Sequence, residues 1–360
     1  MDTPLTICYF GTYRPDYPRN RILINGLRRN GVTVLECQSR APRSRRRREL
    51  VRLHQPLSGR YQALMVGFPG HAVMPLARKI ARQQGAPVVF DAFTSLYGAQ
   101  VLGRRKTAAW RPKGWKSFAA DWVACRMADL VLLDTAAHVD YLRKLTGLPA
   151  NRFRTILAGS DIAEVTPTPV APKPPGKFLV HFHGHYSKFQ GVDVIVRAAK
   201  LLEHRPIHFR LIGRGQEYAR VAKLVQRLSV DNVEFLPDVD YAQLAGYLLQ
   251  ADLCLGVFGG GTLRPVIPNK IYEALALGRP VLTGHLPAMD ELFTADVHVA
   301  YCRPGDPKDL ADQVLRLEGD VPLRQQLATE GRVLSERYLT PAKLGAELKI
   351  ILEQIVHAPV

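Results

Sequence analysis

Short apolar runs alternate with amphipathic stretches along the chain. In the first half, runs at residues 5–10, 32–37, 63–66, 88–90, 130–133 and 153–157 are separated by segments at 21–30, 74–84 and 138–145 with apolar positions three and four apart. Short, largely apolar runs predict strands of a covered sheet, and the intervening periodicity predicts the helices that cover them, so the pattern is that of a parallel sheet. At 165–176 five of twelve residues are proline, the other seven being Val, Thr, Ala, Lys and Gly, a composition that excludes helix and central strand and predicts an extended connector. The alternation then restarts, with strands at 178–182, 208–212, 233–236, 253–257 and 281–283 and helices at 192–202, 217–228, 241–249, 270–277 and after Pro307 and Pro322. A last helical pattern, 341–356, has Leu344, Leu348, Ile351, Leu352 and Ile355 on one side. The chain is therefore read as α/β, with two Rossmann-like domains at 1–165 and 177–337, a linker at 166–176, and a terminal helix at 338–360 returning to the first domain. In such folds a ligand sits at the carboxyl ends of the strands, here in the cleft between the domains.

Length and charge refine this picture. A chain of 360 residues exceeds one ordinary core, and 47% hydrophobic residues exclude disorder. The net charge of +17 is one-sided: residues 1–170 hold 27 Lys+Arg against 11 Asp+Glu, and residues 171–360 hold 22 against 21. A positive first half attracts polyanions such as an anionic acceptor, a membrane surface or nucleic acid. Five dispersed cysteines (Cys8, Cys37, Cys125, Cys254, Cys302) fit neither a disulfide framework nor a zinc knuckle. No apolar run approaches the ~20 residues of a membrane span, and the N-terminus reads as a strand, which together imply a cytoplasmic protein.

The most informative stretch runs from Phe258 to Gly284. A strand feeds the glycines Gly259, Gly260 and Gly261, which lead past Arg264 to a helix start bearing Asn269 and Lys270. Backbone amides and an ammonium converging there suit a phosphate, and Glu273, one turn along the same face, suits the hydroxyls of a ribose. The plainer reading is a surface Lys–Glu pair at i, i+3. With its closing Ala276-Leu277-Gly278-Arg279-Pro280-Val281 turn, the stretch resembles the donor-binding core of the retaining glycosyltransferases of family four, glycosyltransferase group one. Three further segments, in the family's order, strengthen the resemblance: Ala158-Gly159-Ser160-Asp161, Phe182-His183-Gly184-His185 with Gln190-Gly191, and Ile212-Gly213-Arg214-Gly215. The resemblance implies a GT-B fold, a nucleotide-sugar donor as substrate with no separate cofactor, and a retaining transfer in which the leaving phosphate oxygen takes the acceptor's proton. It places Gly184, His185, Gly213, Gly261, Asn269 and Glu273 around the donor.

Departures from the family pattern are equally informative. The glutamate that many members carry eight positions before the one matching Glu273 is Pro265 here, and two cations usual around the pyrophosphate become His185 and Gln190. Arg264 and Lys270 are the replacements that the sequence offers, with His185 assisting, and they are taken as the catalytic cations. In the first domain, Gly11 and Thr12 end the first strand where backbone can approach a ligand closely. Asp91 follows a strand and either orients an acceptor hydroxyl or fixes its loop. His181, His183 and His185 alternate, but His-x-His spacing alone is weak, and no metal is expected. Asp240, with Gln243 three residues on, reads as a helix cap. Seven arginines between Arg40 and Arg52 read as a surface loop. Arg104, Arg105 and Lys106, followed by Trp110, Lys113, Trp115, Lys116, Phe118 and Trp122, suit peripheral contact with the inner face of a membrane, or a solvated basic face with Trp122 in the core at helical spacing from Cys125. Three functions follow: a glycosyltransferase acting on an anionic or lipid-linked acceptor, a same-fold epimerase or phosphorylase, and a basic nucleic-acid-binding protein. The last is disfavoured, since the arginine run contains no aromatic to stack on bases.

Overall fold

The computed structural model describes residues 4–103, 111–260 and 265–357, and the chain divides into two compact units. Unit 1 is a six-stranded parallel sheet. Its strands are β1 (Thr6–Gly11), β2 (Thr33–Gln38), β3 (Ala63–Val66), β4 (Val88–Phe93), β5 (Leu130–Leu133) and β6 (Phe153–Thr155), in the spatial order β2-β1-β3-β4-β5-β6. Helices α1 (Pro18–Arg29), α2 (Arg43–His54), α3 (Met74–Gln84), α4 (Pro112–Met127) and α5 (Ala136–Thr146) make the crossovers. Strands β3, β4 and β5 are buried along their whole length, as sequences such as Ala63-Leu64-Met65-Val66 require.

Unit 2 repeats the plan with β7 (Phe178–His183), α6 (Val192–Leu201), β8 (Ile207–Ile212), α7 (Tyr218–Leu228), β9 (Val233–Leu236), α8 (Tyr241–Gln250), β10 (Leu253–Leu255), α9 (Asn269–Ala276), β11 (Val281–Gly284), β12 (Ala300–Cys302), α10 (Pro307–Gly319) and α11 (Val321–Tyr338). The strand order is β12-β11-β10-β7-β8-β9, again parallel throughout. Asp240 closes a full capping box with Gln243 at the start of α8.

Three sequence readings are corrected. The arginine run is not a loop but the exposed face of α2, because arginine is a good helix former and the buried Leu50 and His54 supply an inward face. Trp122 is not in the core: it is 38% exposed, with the Arg126 guanidinium 4.2 Å from its ring centre. The proline-rich stretch lies along unit 2, where the Thr168 amide donates to Ala242 and Lys173 pairs with Asp252 at 2.7 Å. The chain passes between the units at Gly159–Ser160.

Helix α12 (Pro341–Val356) packs on α1 within unit 1, burying Leu344, Leu348 and Leu352 with Ile22, Leu23 and Leu27. The contact is backbone on backbone. A Cβ at Gly345 would stand 2.0 Å from the carbonyl carbon of Gly26, and one at Gly26 would stand 2.2 Å from the carbonyl oxygen of Pro341. Gly345→Ala is therefore expected to separate the helices and to cost about 3 kcal/mol, at the upper end for overpacking. An unchanged thermal midpoint by circular dichroism would contradict this close approach.

Candidate donor site

In unit 2, the strand order reverses direction between β7 and β10: β8 and β9 continue on one side, β11 and β12 on the other. Ligands of open parallel sheets bind at such a point, beyond the carboxyl ends of the strands. Two segments meet there, the loop after β7 (184–191) and the residues that follow β10 (256–260), and backbone contacts hold them together. The Phe258 amide donates to Gln190 O at 3.1 Å and the Gly259 amide to Phe189 O at 3.1 Å. A Cβ on Gly259 would lie 2.1 Å from Lys188 O, so only glycine lets the loops close this far. On the neighbouring strand Gly213, at φ +126°, lies so close to Gly184 that a Cβ would stand 2.2 Å from its carbonyl oxygen. Gly184, Gly213 and Gly259 thus let the backbone segments close on one another at this point.

At that point α9 projects Lys270 and Glu273, both buried. The Lys270 ammonium donates to Gln190 Oε1 at 2.5 Å, sits 3.6 Å from the centre of the Phe182 ring, and crowds Gly184, where a Cβ would come within 3.1 Å. Among the described residues no carboxylate lies within ion-pairing distance of it. Burial pushes its pKa well below the ordinary lysine value, and the more distant charge of Glu273 offsets this only in part. A buried cation with a neutral amide and a ring for neighbours is a site for an anion.

Glu273 is engaged elsewhere. His183 Nε2 lies 2.8 Å from Glu273 Oε2, and His183 Nδ1 lies 3.1 Å from His181 Nε2. Burial and the neighbouring His183, Arg210 and Lys270 hold His181 well below the usual histidine range, so it is neutral. One proton order satisfies both contacts: His181 Nε2–H donates to His183 Nδ1, and His183 Nε2–H donates to Glu273. It leaves His181 Nδ1, which has no partner, as an acceptor instead of a stranded donor. The relay fixes the Glu273 carboxylate and leaves its Oε1 without a hydrogen-bond partner among the described residues. Sequence reading missed this role of His183; its one signal was an imidazole at alternate positions of an otherwise apolar strand.

The remaining candidates fall as follows. Asn269 is half-buried at the first turn of α9, and His185 is exposed just beyond β7. Arg264 and Gly261 lie outside the described residues, as do Arg104, Arg105, Lys106 and Trp110. No group of three or more His, Cys, Asp or Glu among the described residues is arranged to hold a metal ion. In unit 1, Gly11 ends β1 at φ +138° beside half-buried Thr12, at the point where that sheet's order reverses between β1 and β3.

Asp91 is corrected. It does not open into the mouth of the sheet but is fully buried, its carboxylate gripped by Arg19 Nε and Nη2 at 2.9–3.2 Å. Of its two sequence readings, the structural one stands, because an enclosed carboxylate bound on both oxygens has nothing left with which to orient a substrate.

Residues 177–320 match the family model of the glycosyl transferases group 1. An Escherichia coli (strain K12) protein named for glycosyl transfer in colanic acid biosynthesis, WcaI, is 30% identical over 105 residues, 29% of this chain and 26% of that one. An uncharacterized glycosyltransferase of Methanocaldococcus jannaschii is 21% identical over 164 residues, 44% of this chain and 43% of that one. The chain thus spans about a quarter to under half of the length of these curated relatives. Over the full fold, the Anabaena HepE structure with UDP and glucose superposes with a TM-score of 0.74 at 14% identity, covering 98% of this chain and 100% of that one. Sucrose-phosphate synthase from Thermosynechococcus elongatus gives 0.73 at 16%, covering 99% and 100%. The two Rossmann-like units have the GT-B architecture.

Proposed function

We propose that this chain, whose residues 177–320 carry the glycosyl transferases group 1 domain, transfers a sugar from a nucleotide-sugar donor to a hydroxyl acceptor with retention of configuration. One observation carries the reading: the buried Lys270 ammonium, short of an anionic partner, one helical turn from a carboxylate held by a histidine relay. Lys270 takes the diphosphate, joined by the amides of the loop after β7, and Glu273 Oε1 accepts from the ribose hydroxyls. The acceptor oxygen bonds to the sugar's anomeric carbon as its bond to the phosphate oxygen breaks, and the acceptor's proton passes to that phosphate. Lys270 stabilises the negative charge that develops there. The reading needs no cofactor beyond the donor, and it carries over the family's chemistry with Lys270 in place of the missing cations.

The acceptor is anionic or lipid-linked, as the positive charge of the first half favours. Contact with a membrane surface would use α4, where Trp115 is 64% exposed beside Lys113 and Lys116. No helix among the described residues is long and apolar enough to cross a membrane.

Thermal-shift titrations with UDP, GDP, ADP and dTDP test the donor reading. One of them is expected to stabilise the chain, with UDP the first to try because the HepE structures hold it. His183→Phe, which frees Glu273, is expected to weaken that nucleotide about tenfold and to leave its 2′,3′-dideoxy form unaffected. No shift with any nucleotide would sink the proposal.

A further inference from the structure

Helix α2 breaks a rule of helix electrostatics. Five of its first six residues are Arg43, Arg45, Arg46, Arg47 and Arg48, at the end where the peptide dipoles already place positive charge, with no acidic residue in the first turn. Among the described residues none of Arg43, Arg46 and Arg47 has an ion-pair partner. Glu49, the only carboxylate on the helix, receives a hydrogen bond from Ser39 instead. Such an arrangement is self-repelling in isolation and becomes favourable when an anion sits among the guanidinium groups.

The fold provides the place. A cavity of about 330 Å³ opens between α2 and the start of α3, lined on one side by Arg43, Arg46, Arg47 and Leu50 and on the other by the backbone turn and side chains of Ala72, Val73 and Pro75. Arg46 is half-buried and its Nε, shielded from solvent, has no hydrogen-bond partner. A guanidinium that lacks both an ion-pair partner and a full set of acceptors is costly to hold in place without an anion nearby. The lining contains no carboxylate. Three forked donors around a pocket of this size match the oxygens of a phosphate or diphosphate group. The cavity lies beyond the carboxyl ends of β2 and β3, on the side of the sheet where Gly11 ends β1.

We propose that Arg43, Arg46 and Arg47 form a phosphate-binding site in unit 1, taking the phosphate or diphosphate of a substrate or of a lipid headgroup. The site is independent of the donor reading, since every residue in it belongs to the other unit. Two triple variants with equal loss of charge test it: Arg43→Gln/Arg46→Gln/Arg47→Gln, which strips the cavity, and Arg45→Gln/Arg48→Gln/Arg52→Gln, which strips the same helix elsewhere. Inorganic pyrophosphate is titrated calorimetrically into the full chain saturated with UDP, so that the donor site does not report. The cavity variant is expected to lose tenfold or more in affinity and the control less than twofold. Equal losses, or none in either, would overturn the site, and circular dichroism checks that both variants fold. Sedimentation with phosphatidylglycerol vesicles identifies the source: selective release of the cavity variant assigns a lipid headgroup, and equal binding of both variants, with pyrophosphate still discriminating, assigns a soluble phosphate.

Discussion

Lys270→Met is expected to weaken nucleotide binding by about two orders of magnitude and, in the same variant, to raise the melting temperature of the unliganded chain. Both effects follow from one fact, that the Lys270 ammonium is buried with a single amide oxygen as its hydrogen-bond partner. Methionine keeps the length of the stem and its contact with Phe182 but needs no solvation. Without the ammonium, a diphosphate loses a charge-assisted hydrogen bond of roughly 2–3 kcal/mol, or about 30–150-fold in affinity. The stability gain depends on pH in a fixed direction. The folded-state pKa of Lys270 is depressed, so below it both folded and unfolded chains are protonated and the full burial cost is present. As pH rises towards the ordinary lysine value the folded chain sheds its proton first and the cost fades. The advantage of Lys270→Met is therefore largest at low pH and vanishes in strong alkali. At a pH above the depressed folded-state pKa of Lys270, binding of the donor should also draw a proton onto it, visible as a buffer-dependent heat in calorimetry. Unchanged affinity for every nucleotide in the variant would remove Lys270 from the site.

The contrast between Lys270 and Arg19 shows what a single sequence reveals. Lys270 and Glu273 were legible because they share one short helix that follows a glycine loop, so their spacing alone sets them on one face. The partners that define their chemistry were not. His183 lies ninety positions from Glu273 and Gln190 eighty from Lys270, and only the pairing of β7 with β10 brings them together. The two sheets were legible for the opposite reason, since burial on both faces imposes apolar runs that need no partner to be recognised. The α2 helix was lost because its inward face is only Leu50 and His54, too narrow a stripe to show against seven arginines. Asp91 looked catalytic because a carboxylate ending an apolar strand calls for a reason, and its reason stands 72 residues earlier.

That reason makes Asp91→Ala the most destabilising change expected in unit 1. Arg19, fully buried on α1, grips Asp91 on β4 with Nε and Nη2 and donates through Nη1 to Ile156 O at 2.7 Å and Leu157 O at 2.8 Å, after β6. One guanidinium thus ties three segments together, and removing Asp91 leaves it charged, buried and half-satisfied. Breaking a buried pair from one side costs about 3–5 kcal/mol, which for a unit of this size lowers the melting temperature by roughly 10 °C. The pair is not itself a large net gain: burial pushes the Asp91 carboxyl above its ordinary value even with Arg19 against it. Replacing both, as Arg19→Met/Asp91→Val, is accordingly expected to recover most of the loss, short of the share due to the two carbonyls. A double-mutant cycle on the melting transition should give a coupling above about 2 kcal/mol. The same variants separate structure from catalysis. Asp91→Asn assayed well below its melting temperature is expected to keep its kcat within about threefold, since the carboxylate reaches no substrate. A collapse in kcat at an unchanged melting temperature would instead make Asp91 the acceptor's base and Arg19 the group that tunes it.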